Sequence, residues 1–158
     1  MEQPPKSVAI TGASGYVGAR LLRKLEDEED ISKLVAIDTL PPTVPIRNMA
    51  AYRMSVTKPI DDALNRHNVS TVVHLAFIAR RGRNRQEVDS IRETNLAALE
   101  SVLESSARAG GNHIVYLSSH TVYGAHADNP VPLTDAAPLR PIPDFPYGYD
   151  KFLSEQML

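Results

Sequence analysis

Three glycines at regular spacing lie close to the N-terminus and constrain the fold more than any other feature of the chain. Gly12, Gly15 and Gly18 follow an apolar run at residues 8–11, and a helical pattern begins at Tyr16. A short apolar run of this kind is typical of a strand that is buried on both faces of a parallel sheet. The stretch therefore predicts a strand, a tight turn and a helix, which is the first half of a β–α–β unit.

Each glycine of this turn has a physical role if the turn holds a dinucleotide. The first permits a tight reversal, the second lets a pyrophosphate approach the backbone, and the third lets the helix pack closely on the strand. The start of the helix adds free N–H groups and a partial positive charge. Ordinary strand–helix junctions also contain glycine turns, so the motif alone leaves both a nucleotide site and a plain structural turn open.

Apolar strand patterns and helical patterns alternate along the rest of the chain. This alternation predicts an α/β fold with one doubly wound parallel sheet and right-handed crossovers. The expected strand order is 3-2-1-4-5, with a ligand at the carboxyl edge of the sheet where that order reverses. Strands are predicted over residues 8–11, 33–38, 51–54, 71–76 and 113–119, and helices from residue 16, over 59–68, over 86–109, and from 146 to the last residue.

Composition and charge limit the class of protein. The 158 residues suffice for one domain with a sizeable core, and 17 basic against 19 acidic side chains give a net charge of −2. That balance argues against a general nucleic-acid binder, and no apolar run approaches the ~20 residues of a membrane span. The absence of cysteine excludes disulfides and thiol catalysis. We expect a soluble cytoplasmic protein with a small-molecule ligand and no metal site.

Asp38 ends the second predicted strand, 20 residues after Gly18. A carboxylate in this position can accept hydrogen bonds from both hydroxyls of an adenine ribose, and it repels a 2′-phosphate. The alternative is an aspartate that simply starts a turn at the end of a strand. Because the glycine turn lies at the right distance, we favour the ribose interpretation, which predicts NAD as the cofactor and disfavours NADP.

Tyr147 and Lys151 are four residues apart at the start of the last predicted helix, so they share one face. A phenol with a pKa of ~10 is a poor acid–base catalyst near neutral pH, and a neighbouring ammonium group brings that pKa toward the working range. Such a pair could take a proton from an alcohol while hydride leaves the same carbon. The structural alternative is a packed tyrosine beside a lysine whose stem lies along apolar surface. Tyr149 lies on the opposite side of this helix and is the poorer candidate.

Ser118 and Ser119 are predicted to end the fifth strand, at the same sheet edge as the glycine turn. A hydroxyl there could hydrogen-bond the substrate oxygen that Tyr147 protonates. The alternative is that both serines satisfy backbone groups at the strand end.

Other polar residues are interpreted as structural or solvated. A loop over residues 80–85 carries four arginines, which could meet an anionic substrate but are more simply a solvated loop. His74 at a strand end and His120 beside the serines are interpreted as structural, and no cluster has metal-ligand spacing.

Six motifs follow one another in a fixed order along the chain. They are residues 11–18 (Thr-Gly-Ala-Ser-Gly-Tyr-Val-Gly), Asp38, residues 74–76 (His-Leu-Ala), Asn95, residues 118–124 (Ser-Ser-His-Thr-Val-Tyr-Gly) and residues 147–151 (Tyr-Gly-Tyr-Asp-Lys). Together they resemble the extended branch of the short-chain dehydrogenase/reductase superfamily, of the NAD-dependent epimerase/dehydratase type. The resemblance covers essentially the whole chain and implies a Rossmann-type fold.

The resemblance implies a role for each matching residue. Ser119 would be the catalytic serine with Ser118 as its structural neighbour, and Tyr147 would be the acid–base group. Lys151 would be the partner of Tyr147 and would also hold the nicotinamide ribose. The cofactor contacts implied in this way are Gly12, Ser14, Gly15, Tyr16, Val17, Gly18, Asp38, Val56, Leu75, Ala76, Asn95, Tyr147 and Lys151.

Three departures from the family pattern are visible. The family usually has an acidic residue before an aliphatic one after strand three, where Ser55 and Val56 stand here. Phe77 replaces a common small residue and is expected to narrow the pocket near the nicotinamide. Family members also continue past the last helix into a substrate-binding lobe, whereas this sequence stops within that helix. We therefore expect residues 1–158 to be an incomplete NAD-binding domain, either a fragment or a protein without its own substrate domain.

The resemblance implies an NAD-dependent oxidoreductase that transfers hydride at a carbinol carbon, with a nucleotide sugar as the commonest substrate class. A hydroxysteroid or another ketone-type alcohol is the alternative substrate. The alternative function is a dinucleotide-binding or sensing module without turnover, or an inactive fragment. The resemblance also implies a homodimer formed through the helix after strand four and the Tyr147 helix.

Overall fold

The computed structural model describes residues 5–111 and 113–158, which form two compact units. The first unit contains the described residues up to Phe77 together with those of Ala97–Leu117, and the second contains Ile78–Leu96 and Ser118–Leu158. The elements in chain order are β1 (Lys6–Thr11), α1 (Tyr16–Leu25), β2 (Ile31–Asp38), β3 (Met49–Arg53), α2 (Asp61–Arg66), β4 (Thr71–His74), α3 (Arg85–Arg108), β5 (His113–Tyr116), a 3-10 helix (His120–Tyr123) and α4 (Pro146–Glu155).

The five strands form one parallel sheet of order β3-β2-β1-β4-β5. This confirms the predicted α/β fold, its Rossmann-type sheet and the strand order. β1 pairs with β2 on one side and with β4 on the other, so the strand order reverses at the strand that leads into the glycine turn. Thr11 is opposite Ile37 in β2 and opposite His74 in β4. The carboxyl ends of these three strands therefore lie at one edge of the first unit.

The core of the first unit lies on both faces of the sheet, as the uninterrupted apolar runs predict. One cluster contains Ala9 of β1, and the other contains Val8 and Ile10, because successive side chains point to opposite faces. Each fully buried aliphatic side chain of this kind contributes about 1.5–3 kcal/mol relative to an exposed one. The central strand is therefore the rigid support of the turn that follows it.

Several strand bounds differ from the prediction, because a strand ends where the strand that it pairs with ends. β4 stops at His74 and not at residue 76, since the N–H groups of Leu75 and Ala76 donate to Thr11 at 3.1 and 3.3 Å, at the point where β1 ends. β5 stops at Tyr116 and not at residue 119, because β4 has already ended beside it. β1 and β2 begin two residues before the predicted positions.

The last helix is also shorter than predicted, since α4 ends at Glu155 and does not continue to Leu158. The N–H groups of Met157 and Leu158 donate to Ser154 and Glu155, three residues back, which tightens the last turn beyond the α-helix. α2 is likewise shorter than the predicted 59–68, and β3 and α3 each begin before the predicted residue.

Within residues 5–111 and 113–158, no helix combines the length and the apolar character that a membrane span requires.

Candidate functional site

The glycine turn is closely packed at two of its three glycines. Gly12 has a φ of +68°, and a Cβ built on it would lie 2.7 Å from the backbone nitrogen of Ala76. A Cβ on Gly18 would lie 2.3 Å from the carbonyl oxygen of Gly12, closer than real Cβ atoms approach. A Cβ on Gly15 would meet only the Gly12 oxygen, at 3.3 Å. Packing therefore requires the first and third glycines, whereas the second faces space that a ligand could enter.

The start of α1 presents N–H groups that the helix itself cannot use. The first intrahelical bond runs from Ala19 N to Gly15 O at 2.9 Å, and the cap residue Gly15 has no side chain. The N–H groups of Tyr16, Val17 and Gly18 therefore have no acceptor within the helix. The first turn contains no acidic residue. This helix start has the charge and the donors that an anion needs.

The Asp38 carboxylate connects the end of β2 to the glycine turn. Its Oδ1 accepts from the N–H of Leu40 at 3.0 Å, which is the strand-end turn considered above. Its Oδ2 accepts from the N–H of Ser14 at 3.0 Å, a contact that neither sequence interpretation included. The Ser14 hydroxyl adds a bond to Leu40 O at 2.9 Å. Oδ1 also accepts from Thr39 Oγ1 at 3.4 Å, whereas Oδ2 retains a further lone pair with which the anchored group can still accept from a ribose.

A buried histidine fixes the segment that follows β4. His74 is 1% exposed, its Nδ1 lies 2.7 Å from Thr11 Oγ1, and its ring stacks on Tyr116 with centroids 5.9 Å apart. This contact supports the structural interpretation of His74. The backbone N–H groups of Leu75 and Ala76 both donate to Thr11, which fixes this segment next to the end of β1. The first unit thus brings the glycine turn and residues 75–76 together.

Val56, the expected adenine contact, is a core residue in this structure. Its side chain is 7% exposed and belongs to the same cluster as Val35 and Ile37. The Ser55 hydroxyl lies 2.8 Å from Thr57 Oγ1. This position can therefore offer a base only a small apolar surface.

The two serines lie in the loop after β5 and not on the strand, which corrects the prediction that they end it. Ser119 caps the 3-10 helix, because its Oγ accepts from the N–H of Thr121 at 3.3 Å and from Thr121 Oγ1 at 2.9 Å. A serine oxygen that accepts twice still has its own O–H to donate. Ser118 Oγ donates to the Glu155 carboxylate.

The N-terminal half of α4 carries the predicted tyrosine–lysine pair. Pro146 occupies the first turn, as predicted, and Tyr147 packs edge-on against Phe145 with ring centroids 6.2 Å apart. Lys151 is 3% exposed, and burial lowers the pKa of its ammonium to about 8. A Cβ on Gly148 would lie 3.0 Å from Thr121 O, so α4 packs closely on the 3-10 helix that Ser119 caps. The second unit thus brings Ser119 and the α4 residues to neighbouring elements.

Tyr149 is engaged elsewhere, in agreement with its placement as the poorer candidate. Its ring faces the Arg92 guanidinium at 5.2 Å from the centroid, and Phe152 lies 6.3 Å away. Arg92 also donates from Nε to Asp150 Oδ1 at 2.6 Å, and the Asp150 side chain is 3% exposed. Burial raises the pKa of Asp150, and the Arg92 guanidinium opposes that rise. This ion pair anchors α4 to the first half of α3.

Replacing Arg92 with leucine should destabilise the fold by about 3 kcal/mol at pH 7.5, because it leaves a buried carboxylate without its partner. The raised pKa of Asp150 means that the folded state holds its proton to higher pH than the unfolded state does. The loss should therefore grow as pH rises and shrink toward pH 4.5, as urea unfolding at the two pH values would measure. Lys24→Gln, at an exposed pair with Glu28, should change stability by less than about 0.5 kcal/mol, and an equal loss in both variants would contradict the prediction.

The side-chain amide of Asn95 forms hydrogen bonds with both backbone groups of a single residue. Its Oδ1 accepts from Ile78 N at 2.8 Å, and its Nδ2 donates to Ile78 O at 3.2 Å. The side chain is 3% exposed. This geometry makes Asn95 the residue that fixes the segment after Phe77.

Comparison with known proteins decides the family. The sequence model of the NAD dependent epimerase/dehydratase family matches residues 8–158. The chain belongs to the NAD-dependent epimerase/dehydratase family. This confirms the resemblance found in the sequence.

This family member is similar to proteins about twice its length. It is 28% identical over 162 residues to UDP-glucose 4-epimerase of Erwinia amylovora, covering 96% of this chain and 47% of that one. It is 28% identical over 171 residues to dTDP-4-dehydro-6-deoxyglucose reductase of Escherichia coli, covering 100% of this chain and 51% of that one. The structure of MoeE5 in complex with UDP-glucose and NAD matches with a TM-score of 0.79 and 26% identity, over 96% of this chain and 47% of that one. The chain spans about half the length of the curated relatives it matches.

The arginine loop of this epimerase/dehydratase chain is partly structural. Arg80 and Arg83 both bind the Glu87 carboxylate, at 2.5 and 3.1 Å, and these contacts with the Arg83 N–H hold the pKa of Glu87 at about 2. Arg81 lines a cavity of about 390 Å³ that Tyr147 also lines. Sequence reasoning did not find this cavity. The wall of this cavity also includes the apolar side chains of Ile78, Val88, Ile91 and Phe145.

Proposed function

We propose that this chain binds NAD and supports hydride transfer at a carbinol carbon of a small-molecule substrate. The observation that carries the proposal is the buried Lys151, which lies one helical turn from Tyr147 on a helix packed against the element that Ser119 caps. Membership of the family supports the same assignment. A sensing module without turnover would have no need for a buried ammonium in this position.

The residues of the first unit fit an NAD dinucleotide. The open face of Gly15 and the free N–H groups of α1 suit a pyrophosphate, and the remaining lone pair of Asp38 Oδ2 suits the adenine ribose. We assign backbone contacts with the dinucleotide to Leu75 and Ala76, which are held beside Gly12. When bound, NAD supplies the hydride acceptor and donor. MoeE5, at 26% identity, was solved with NAD.

The proposed chemistry of the second unit concerns one proton. Tyr147 takes the proton from the substrate hydroxyl as hydride leaves the carbon, and it returns that proton in the reverse step. The Lys151 ammonium stabilises the phenolate form of Tyr147 and, as the resemblance implies, binds the nicotinamide ribose. The free O–H of Ser119 donates a hydrogen bond to the substrate oxygen. We propose that Asn95 acts through the position of Ile78, because both ends of its amide are already bound there.

A nucleotide sugar is the substrate class that the relatives favour. The similar proteins include a UDP-glucose 4-epimerase, and MoeE5 was solved in complex with UDP-glucose. The mainly apolar wall of the cavity beside Tyr147 favours a second candidate, an alcohol or ketone with an apolar body such as a hydroxysteroid. Conversion of UDP-glucose against that of a hydroxysteroid, followed by chromatography of the products together with NADH absorbance, distinguishes the two.

The oligomeric state and the cellular location of the protein are predictions that need separate experiments. The homodimer through α3 and α4 is tested by sedimentation of the purified protein. Location in the cytoplasm, which a chain without cysteine favours, is tested by cell fractionation.

Wild-type protein should bind NADH at least about tenfold more tightly than NADPH, because the Asp38 carboxylate repels a 2′-phosphate. Asp38→Asn removes the charge and keeps one acceptor oxygen, so it should reduce the preference to within about threefold. Fluorescence titration with both nucleotides measures the effect, with Asp27→Asn on an exposed loop as the control. NADPH affinity equal to that of NADH in the wild type would refute the assignment of Asp38.

A further inference from the structure

The hydroxyl of Ser118 donates a hydrogen bond to the carboxylate of Glu155, and both residues belong to the second unit. Ser118 immediately precedes Ser119. Glu155 is the last residue of α4, one helical turn after Lys151 and two after Tyr147. One carboxylate thus connects the loop of the proposed catalytic serine to the helix of the proposed acid–base pair.

We propose that Glu155 is a positioning residue that fixes the Ser118–Ser119 loop to α4 and holds a negative charge one helical turn from the buried Lys151. No function is assigned to Glu155 by the proposed mechanism. The inference rests on the proposed function for its meaning in catalysis, whereas its physical content can be measured without any substrate.

Helix stability does not explain a carboxylate at this position. The last turn of an α-helix carries a partial negative charge, so an acidic side chain there is unfavourable. α4 contains no basic residue in its last turn that would compensate. The Ser118 hydroxyl gives the Glu155 carboxylate a hydrogen-bond donor there, and the carboxylate lies within electrostatic reach of the Lys151 ammonium.

The electrostatic effect on Lys151 has a definite sign. Burial lowers the pKa of the Lys151 ammonium to about 8, and the Glu155 carboxylate acts in the opposite direction. Without that carboxylate the burial effect would act with less opposition, and Lys151 would lose its proton at lower pH. The other titratable groups on elements packed against α4 include His120 and Tyr123 on the 3-10 helix, and Asp89 and Arg92 on α3, of which Arg92 is bound by Asp150 and Asp89.

Titration of Lys151 in the full chain tests the inference. The chain has five lysines, so ¹³C signals of labelled lysine side chains can be resolved, and Lys151→Arg identifies the signal of Lys151. Glu155→Gln keeps an acceptor for Ser118 and removes the charge. It should move the titration midpoint of Lys151 to lower pH by about 1 unit. Glu93→Gln, on an exposed position of α3, should leave that midpoint unchanged.

Ser118→Ala tests the positioning half of the proposal, and it also serves if Glu155→Gln does not fold. It keeps the charge but releases the carboxylate, so the Lys151 midpoint should move in the same direction by a smaller amount. An unchanged midpoint in folded Glu155→Gln overturns the electrostatic role, and an unchanged midpoint in Ser118→Ala overturns the role of the hydrogen bond. NADH titration of the wild type reports separately on the proposed function, since failure to bind NADH would refute that function and leave the Lys151 titration to decide this inference.

Discussion

Replacing Tyr147 with phenylalanine should lower turnover by about 10³-fold and leave NADH affinity within about twofold of the wild type. The change removes a single oxygen, the atom that we propose exchanges a proton with the substrate hydroxyl. The ring itself remains and can still pack against Phe145. Turnover is followed by chromatography of the products and by NADH absorbance with UDP-glucose as the first substrate, and affinity is followed by NADH fluorescence.

Tyr149→Phe is the matched control for this prediction. Tyr149 lies two residues away on the same helix, and its ring faces Arg92 rather than the lysine of the pair. Phenylalanine preserves that face, so turnover in this variant should stay within about twofold of the wild type. Substantial activity in Tyr147→Phe, or an equal loss in both variants, would sink the proposed role of Tyr147.

Replacing Gly18 with alanine should destabilise the protein by about 3 kcal/mol and abolish NADH binding. The new methyl group would lie 2.3 Å from the backbone oxygen of Gly12, and a backbone atom in a tight turn cannot move away as a flexible side chain can. Relief therefore requires α1 to shift relative to β1. Urea unfolding measures the loss of stability, and NADH fluorescence measures the loss of binding.

Gly15→Ala separates the ligand role of the turn from its packing role. Gly15 has a φ of −72°, which alanine adopts without strain, and its added methyl group would meet a single protein atom at 3.3 Å. Its stability should therefore change by less than about 1 kcal/mol. NADH binding should weaken at least about tenfold, because the methyl group occupies the side from which we propose the pyrophosphate approaches. Wild-type affinity in Gly15→Ala would contradict that placement, and wild-type stability in Gly18→Ala would contradict the close packing.

The order of the elements could be predicted because each depends on a local pattern. The apolar run before Gly12 and the helical pattern from Tyr16 gave β1 and α1, and the helix start of α1 agrees to the residue. Pro146 marked the start of α4 for an equally local reason, since proline is tolerated in the first turn of a helix.

The ends of the strands could not be predicted in the same way. The residues after His74 and Tyr116 have apolar or β-compatible side chains that continue the strand pattern. Their backbone groups nevertheless leave the ladder, because a parallel strand lasts only as long as its neighbour. Where the neighbour ends is set by a residue more than 60 positions away, at Thr11.

Side-chain partners were the least predictable part of the site. Asp38 was recognised from its position, but its bond to the N–H of Ser14 depends on how two loops meet. The resemblance implies that Asn95 lies near the cofactor, which stays a prediction, but nothing in the sequence indicates that its amide binds both backbone groups of Ile78. The spacing of four residues between Lys151 and Glu155 was visible in the sequence and was the one signal that could have indicated a third polar residue on that helix face.

The buried imidazole of His74 provides a natural spectroscopic probe of the nucleotide turn. Its Nδ1 contacts Thr11, the residue that immediately precedes Gly12, and its ring is shielded from water. A change at the turn should alter the Thr11 hydroxyl and with it the ¹⁵N resonances of this ring, which ¹⁵N-labelled protein reports without any attached reporter group. Occupancy of the turn by any ligand could therefore be followed in the unmodified protein, in solution and at equilibrium.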